Sequence, residues 1–118
     1  MPETTLIIDD DAIFNAVLVR TLERRGHSAR GAADPVAALA VAAEISPARV
    51  VLDLNLNGSS GLALIPQLLA INPACRIVVL TGYASITTAV DAIKLGAVQY
   101  LAKPVEIEAI LAAFESDD

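Results

Sequence analysis

A chain of 118 residues, 55% hydrophobic and with a formal charge of −6, is one ordinary domain long enough to bury a core. Its apolar residues fall in short blocks, none reaching the ~18 consecutive positions of a membrane-spanning helix, and its start, MPETTLIIDDD, lacks the basic and apolar regions of a secretory signal. The acidic balance disfavours direct nucleic-acid binding, and lone Cys75 excludes an intramolecular disulfide, so a cytoplasmic domain with no membrane association is expected.

Taken in chain order, TTLIIDD (Thr4–Asp10) reads as a buried strand, and Ala12–Arg25 as a helix closed by Gly26. HSARGA is a weak short strand. Asp34-Pro35 is a helix start, with a capping carboxylate and proline at the first helical position. The Ala-rich run that follows extends to Ile45 and is stopped by Pro47. ARVVLDL is the next strand, and Gly61–Ile71 a helix ending near Asn72-Pro73. CRIVVLTG is a strand, Ser85–Leu95 a helix closed by Gly96, VQYLAKP a short strand, and Val105–Phe114 the last helix. Five strands alternating with five helices, with uninterrupted Ile/Val/Leu runs in the strands, predict a parallel sheet inside a doubly wound α/β domain. No repeat or interdomain linker is apparent, so residues 1–118 are expected to be a single domain.

From Asp53 the chain runs Asp-x-Asn-x-Asn-Gly, the opening of an EF-hand calcium loop. That loop requires a glutamate at position twelve and a preceding helix. Position twelve is Leu64, and the preceding residues are a strand, so the EF-hand reading fails.

In open parallel sheets, ligands bind beyond the carboxyl ends of the strands. Those ends carry Asp9, Asp10 and Asp11, then Asp53, then Thr81 and Gly82, then Lys103-Pro104. Singly, each has an ordinary explanation. Asp11 suits a helix cap, Thr81 is a common strand residue, and Lys103 suits a solvated surface. Asp9 and Asp10 are adjacent carboxylates whose repulsion is best relieved by a bound cation. The convergence of all of them on one sheet edge is the stronger observation.

The acid pair after LII, the aspartate of VVLDLNLNG, the threonine of LTGY and the lysine-proline of YLAKP, in this order and spacing, resemble the receiver domains of two-component response regulators. The resemblance covers essentially the whole chain. The wording LTGYASITTAVDAIKLGA…YLAKP is similar to receivers of redox-responsive global transcriptional regulators, which carry a C-terminal helix-turn-helix output domain. It implies a flavodoxin-like sheet of order 2-1-3-4-5 with five helices, and a domain taken from a longer regulator with a DNA-binding C-terminal part.

The resemblance further implies that Asp53 accepts a phosphoryl group from the phosphohistidine of a sensor histidine kinase. Mg²⁺ would be held by Asp10, Asp53 and the backbone carbonyl of Asn55, with Asp9 acting through water. Lys103 would meet the phosphoryl oxygens, across a Lys103–Pro104 peptide that is cis in relatives. Thr81 would donate to the attached phosphoryl group, with Gly82 leaving room. Tyr100 would turn inward with Thr81, changing a surface of the fourth helix, fifth strand and fifth helix that serves partners or a homodimer. Such a domain catalyses only its own phosphorylation and dephosphorylation.

The first helix, AIFNAVLVRTL, is more apolar than one buried stripe requires, and kinases dock beside it in relatives, so Ile13, Phe14 and Val17 are candidate docking residues. Burial alone is the simpler account of Phe14, as a half-buried strand position is of Tyr100. Asn57 stands where many relatives have proline, and Asn55 and Tyr83 occupy positions that tune aspartyl-phosphate lifetime. His27 and Cys75 suggest packing roles only, and Arg24-Arg25 a solvated helix end.

Three other readings share the class. A phosphohydrolase with an aspartate nucleophile needs an acid two residues on, where this chain has Asn55. A degenerate receiver that binds partners without phosphorylation would not need the full Asp/Asp/Asp/Thr/Lys set. A flavin protein would want hydroxyls and glycine in the first loop instead of three aspartates.

Overall fold

The computed structural model describes residues 4–56, 59–82 and 86–115. Five strands, β1 (Thr4–Ile8), β2 (Ser28–Ala32), β3 (Arg49–Asp53), β4 (Arg76–Thr81) and β5 (Gln99–Ala102), form one all-parallel sheet of order β2-β1-β3-β4-β5. Between them run α1 (Ala12–Arg24), α2 (Pro35–Ile45), α3 (Leu64–Ile71), α4 (Ile86–Leu95) and, at the end, α5 (Ile107–Phe114).

The central strands carry uninterrupted apolar runs, Leu6–Ile8, Val50–Leu52 and Ile77–Leu80, because both of their faces are covered. Leu6, Ile8, Val50, Leu52, Ile77 and Val79 point to one side, into a cluster with Ala38, Ala42, Ile65, Leu68 and Ala92 of α2, α3 and α4. Ile7, Val51, Val78 and Leu80 point to the other, against Leu18 and Leu22 of α1 and Ile110 and Phe114 of α5. The period of two along each strand thus builds two separate cores. Each fully buried Leu or Ile stabilises the fold by roughly 1.5–3 kcal/mol.

Local signals set the boundaries. The Asp11 carboxylate caps α1, accepting from the N–H groups of Ile13 and Phe14 at 3.1 Å each. Asp34 caps α2 through Ala37 N–H at 2.8 Å, with Pro35 at the first helical position. Gly26 and Gly96 follow α1 and α4 with φ of +89° and +120°, the left-handed region where a side chain is strained. At the amino edge of the sheet, Arg76 Nε donates to Phe114 O at 2.6 Å and the Arg49 guanidinium lies 5.8 Å from the Phe114 ring centre, securing the end of α5.

Most elements are a residue or more shorter than the sequence pattern suggests, as β1, α3 and α5 illustrate. β1 stops at Ile8 because, after the last ladder bond from Asp9 N–H to Ala32 O, Asp9 Oδ1 accepts from Asp11 N–H and the chain turns into the Asp11 cap. The residues before α3 form a 3₁₀ turn, Gly61–Ala63, drawn against β3 by Gly61 N–H to Leu54 O at 2.8 Å. α5 begins at Ile107, since Pro104 and an extended Glu106 precede it. The two-residue strands Asn55–Leu56 and Ser59–Ser60 pair antiparallel after β3, a hairpin outside the predicted strands whose signal in the sequence is the turn-favouring pair Asn57-Gly58.

Among the described residues, no helix is long and apolar enough to cross a membrane. Cys75 is buried, and burial pushes its thiol up to about 12, which fits the packing role expected of it. His27 Nδ1 lies 3.5 Å from the Arg49 guanidinium. Arg25 pairs with Glu108 at 2.6 Å, tying the end of α1 to α5.

Candidate functional site

Every polar residue that the sequence places after a strand reaches the same carboxyl edge. Asp53 is the last residue of β3 and Thr81 the last of β4, both buried, while Asp9 follows β1 and is 1% exposed. Carboxylate oxygens of Asp9, Asp10 and Asp53 all lie within 4.8 Å of one another. Asp10 is partly exposed, while Asp9 is buried and its Oδ1 accepts from Asp11 N–H at 2.9 Å. Asp11 is engaged in its cap and stands apart from this group.

Lys103 follows β5, and its N–H bonds Thr81 O at 2.9 Å, continuing the β4–β5 pairing one residue past Thr81 and Ala102. Its ammonium donates to Asp9 Oδ2 at 2.7 Å and lies 3.4 Å from Asp53 Oδ2. The Lys103–Pro104 peptide is cis. Burial alone would disfavour the charged ammonium. The hydrogen bond to Asp9 and the charges of Asp9 and Asp53 outweigh it, so the Lys103 pKa is raised.

The Asp53 carboxyl is also raised above its ordinary range, first by burial and then by the Asp9 charge. Asn55 N–H, which donates to Asp53 Oδ1 at 3.1 Å, and Lys103 oppose that shift without cancelling it. A cluster of three acids, two of them buried, with one ammonium thus carries surplus negative charge. Three carboxylates with hard oxygen donors, one of them open to solvent, suit a divalent cation.

Other expected positions are placed less centrally. Asn55 is exposed on the first strand of the hairpin. Gly82 is exposed, and an added Cβ there would meet nothing within 4 Å. Tyr100 is half-buried on β5 against the α2–α3–α4 core. Asn57 and Tyr83 lie outside the described residues. On α1, Ile13 is 78% and Val17 54% exposed, whereas Phe14 is half-buried. Phe14 and Val17 line a groove of about 320 Å³ with Leu18, Thr21, Val105 and Ile107, between α1 and the segment entering α5.

Two residues that the sequence did not single out hold the site in shape. Asn15 of α1 is buried, and its side-chain amide donates to the carbonyls of Asp9 and Ala32 at 3.0 Å each and of Ile7 at 3.3 Å. It thereby fixes the turn that presents Asp9, and an added Cβ on neighbouring Gly31 would overlap the Asn15 side chain. Gly61 lies against the phosphoacceptor candidate's own backbone, where an added Cβ would sit 2.6 Å from Asp53 O. A polar residue within an apolar helix was the available signal for Asn15; for Gly61 it was a glycine at the start of a helix.

The family model of the response regulator receiver domain matches residues 5–115. The chain is 42% identical over 111 residues to the acid tolerance regulatory protein ActR of Rhizobium meliloti (strain 1021), covering 94% of this chain and 57% of ActR. It is 42% identical over 112 residues to the photosynthetic apparatus regulatory protein RegA of Rhodovulum sulfidophilum, covering 95% and 61%. The chain therefore spans a little over half the length of these regulators. A response regulator protein from Burkholderia pseudomallei, crystallised with a phosphorylated aspartic acid, a calcium ion and citrate, is 47% identical with a TM-score of 0.94, over 98% of this chain and 68% of that one. A match running from the first strand through the last helix leaves one conclusion: this chain belongs to the response regulator receiver domains of two-component signalling.

Proposed function

We propose that Asp53 accepts a phosphoryl group from the phosphohistidine of a sensor histidine kinase, and that the site catalyses only this transfer and the later hydrolysis of its own aspartyl phosphate. The single observation carrying the reading is a buried carboxylate at the end of the central strand, within 4.8 Å of two others and 3.4 Å from an ammonium. An Asp53 oxygen attacks phosphorus, the P–N bond of the donor breaks, and its electron pair leaves with the imidazole. Because attacker and phosphoryl group are both anionic, charge and positioning dominate the barrier.

Mg²⁺, held by Asp10, Asp53 and the backbone carbonyl of Asn55, with Asp9 acting through water, would supply charge neutralisation at the transferring oxygens. The openness of Asp10, and the engagement of Asp9 by Lys103 and Asp11 N–H, support that division of ligands. Lys103 contributes a compact positive charge to the phosphoryl oxygens. Thr81, ending the neighbouring strand, donates its hydroxyl to the attached group. Tyr100 then shifts inward, and the α4–β5–α5 surface changes its preference among partners, a second copy of the chain included.

Kinase docking is assigned to α1, with Ile13 and Val17 exposed beside the groove that Phe14 helps to line. The chain is further read as part of a cytoplasmic regulator, redox-responsive by its sequence wording, whose C-terminal part binds DNA while this domain does not; its span of a little over half of ActR and RegA fits a longer regulator.

The test is intact mass after incubation with Mg²⁺ and acetyl phosphate, alongside Asp53→Asn. One phosphoryl adduct, Mg²⁺-dependent and absent from Asp53→Asn, is expected. Absence of an adduct, together with no beryllofluoride binding by folded protein, would replace phosphotransfer with a phosphorylation-independent binding module.

A further inference from the structure

Lys103 has a third neighbour besides its two carboxylates. Its ammonium lies 4.6 Å from the centre of the Phe14 ring, within the range of a cation–π attraction. Phe14 stands in the first turn of α1, held there by its own N–H on the Asp11 cap. Residues 14 and 103 are therefore joined across the site from opposite ends of the chain.

This contact differs in kind from the other two. Asp9 and Asp53 belong to the acid cluster, so a divalent cation placed there competes with Lys103 for the Asp53 oxygen, draws through water on the charge of Asp9, and repels the ammonium. The lysine stem has four rotatable carbons and leaves readily for water. An aromatic face attracts an ammonium without carrying a charge for the metal to neutralise. The ring is then the one contact of the three whose attraction for the ammonium cation binding does not weaken.

We propose that Phe14 is a positioning residue, whose ring keeps the Lys103 ammonium beside Asp53 while the carboxylates are engaged elsewhere. Lys103 is thereby retained where the phosphoryl oxygens arrive, and is not lost to solvent when the cation binds. The inference rests on the phosphotransfer reading above and gives Phe14 a task separate from kinase docking. Phosphorylation by a small donor isolates it, since no kinase then touches α1.

The experiment compares the wild type with Phe14→Leu, which keeps an apolar side chain of similar reach, and Phe14→Tyr, which restores the ring. NMR of the Lys103 side chain reads the contact directly, with and without Mg²⁺, and amide spectra confirm the fold. In the wild type, the Lys103 side-chain methylene protons nearest the ammonium are expected upfield of ordinary lysine values, and to remain so with Mg²⁺. Phe14→Leu loses the shift and is labelled by acetyl phosphate about fivefold more slowly, and Phe14→Tyr recovers both. A labelled wild type matched in rate by Phe14→Leu overturns this inference alone, as does a wild-type shift that vanishes when Mg²⁺ binds. An unlabelled wild type overturns the phosphotransfer reading and this inference with it.

Discussion

Replacing Gly61 by alanine tests how tightly the backbone behind Asp53 is fixed. Gly61 lies outside the left-handed region, so alanine meets no conformational penalty there, only a steric one. Its Cβ would stand 2.6 Å from Asp53 O, 3.2 Å from Leu54 Cα and 3.3 Å from Leu52 Cδ1. Restoring an ordinary contact of about 3.4 Å opens the first gap by roughly 0.8 Å, and the other two atoms block sideways escape. The hydrogen bond from Gly61 N–H to Leu54 O, 2.8 Å long, must stretch as the segments part. Overpacking costs about 1–3 kcal/mol and a weakened hydrogen bond up to about 1 kcal/mol more, so a loss of ~1–4 kcal/mol is expected. With a urea slope of about 2 kcal/mol per molar, the unfolding midpoint falls by roughly 0.5–2 M. Movement of the β3 end also displaces the Asp53 carboxylate from Lys103, so acetyl phosphate labelling slows by about tenfold or more. Gly82→Ala is the stability control: its Cβ meets nothing within 4 Å, and its midpoint stays within about 0.3 M of wild type. A Gly61→Ala chain as stable as Gly82→Ala and labelled at the wild-type rate would refute the reasoning.

Asn15→Ala strands the Asp9 carbonyl, while Ala32 O keeps its bond from Asp9 N–H; a stability loss of about 2–4 kcal/mol is expected in urea titration, and a loss below ~0.5 kcal/mol would show that the three contacts are incidental. Asp53 has a folded pKa raised above that of an ordinary aspartate, chiefly by burial, so its contribution to stability is fully present below the unfolded pKa and is lost as pH rises through the folded one. Asp53→Asn, in chelator, should therefore be more stable than wild type at neutral pH, with the advantage disappearing in acid; equal stability across pH would contradict a surplus of negative charge at the site. Ile13→Lys combined with Val17→Lys changes two exposed residues, so the urea midpoint holds while phosphotransfer from the cognate kinase falls at least about tenfold; normal transfer would remove α1 from the docking face.

What the sequence made legible were features carried by a few adjacent residues. The strands are visible because Leu-Ile-Ile, Val-Val-Leu and Ile-Val-Val-Leu are apolar on both faces, and the helix starts because Asp11 and Asp34 stand where caps belong. Once the strands are parallel, the carboxyl edge follows, and with it the meeting of Asp9, Asp53, Thr81 and Lys103. The features that stayed hidden depend on register between distant segments. Asn15 can be valued only when the ends of β1 and β2 are known to lie beneath α1. Gly61 gains its meaning from the return of the hairpin onto the Asp53 backbone, and Phe14 from an ammonium 89 positions away in the chain. Composition has no record of such distances, so a residue type compatible with plain packing gives no sign of them.

The division of the interior into two apolar clusters has a consequence for how such a domain diversifies. Exposed residues of α1 are mounted on the cluster shared with α5, and those of α4 on the cluster shared with α2 and α3, with the sheet as a wall between them. Substitutions that share no neighbours usually add in free energy. If α1 is the docking face proposed above, a lineage altering Ile13 or Val17 to suit a new upstream protein does not have to re-optimise Val90 or Ile93 on α4, which are also solvent-facing. Duplicated copies of such a chain can then drift apart in what they listen to and in what they address, each at its own pace.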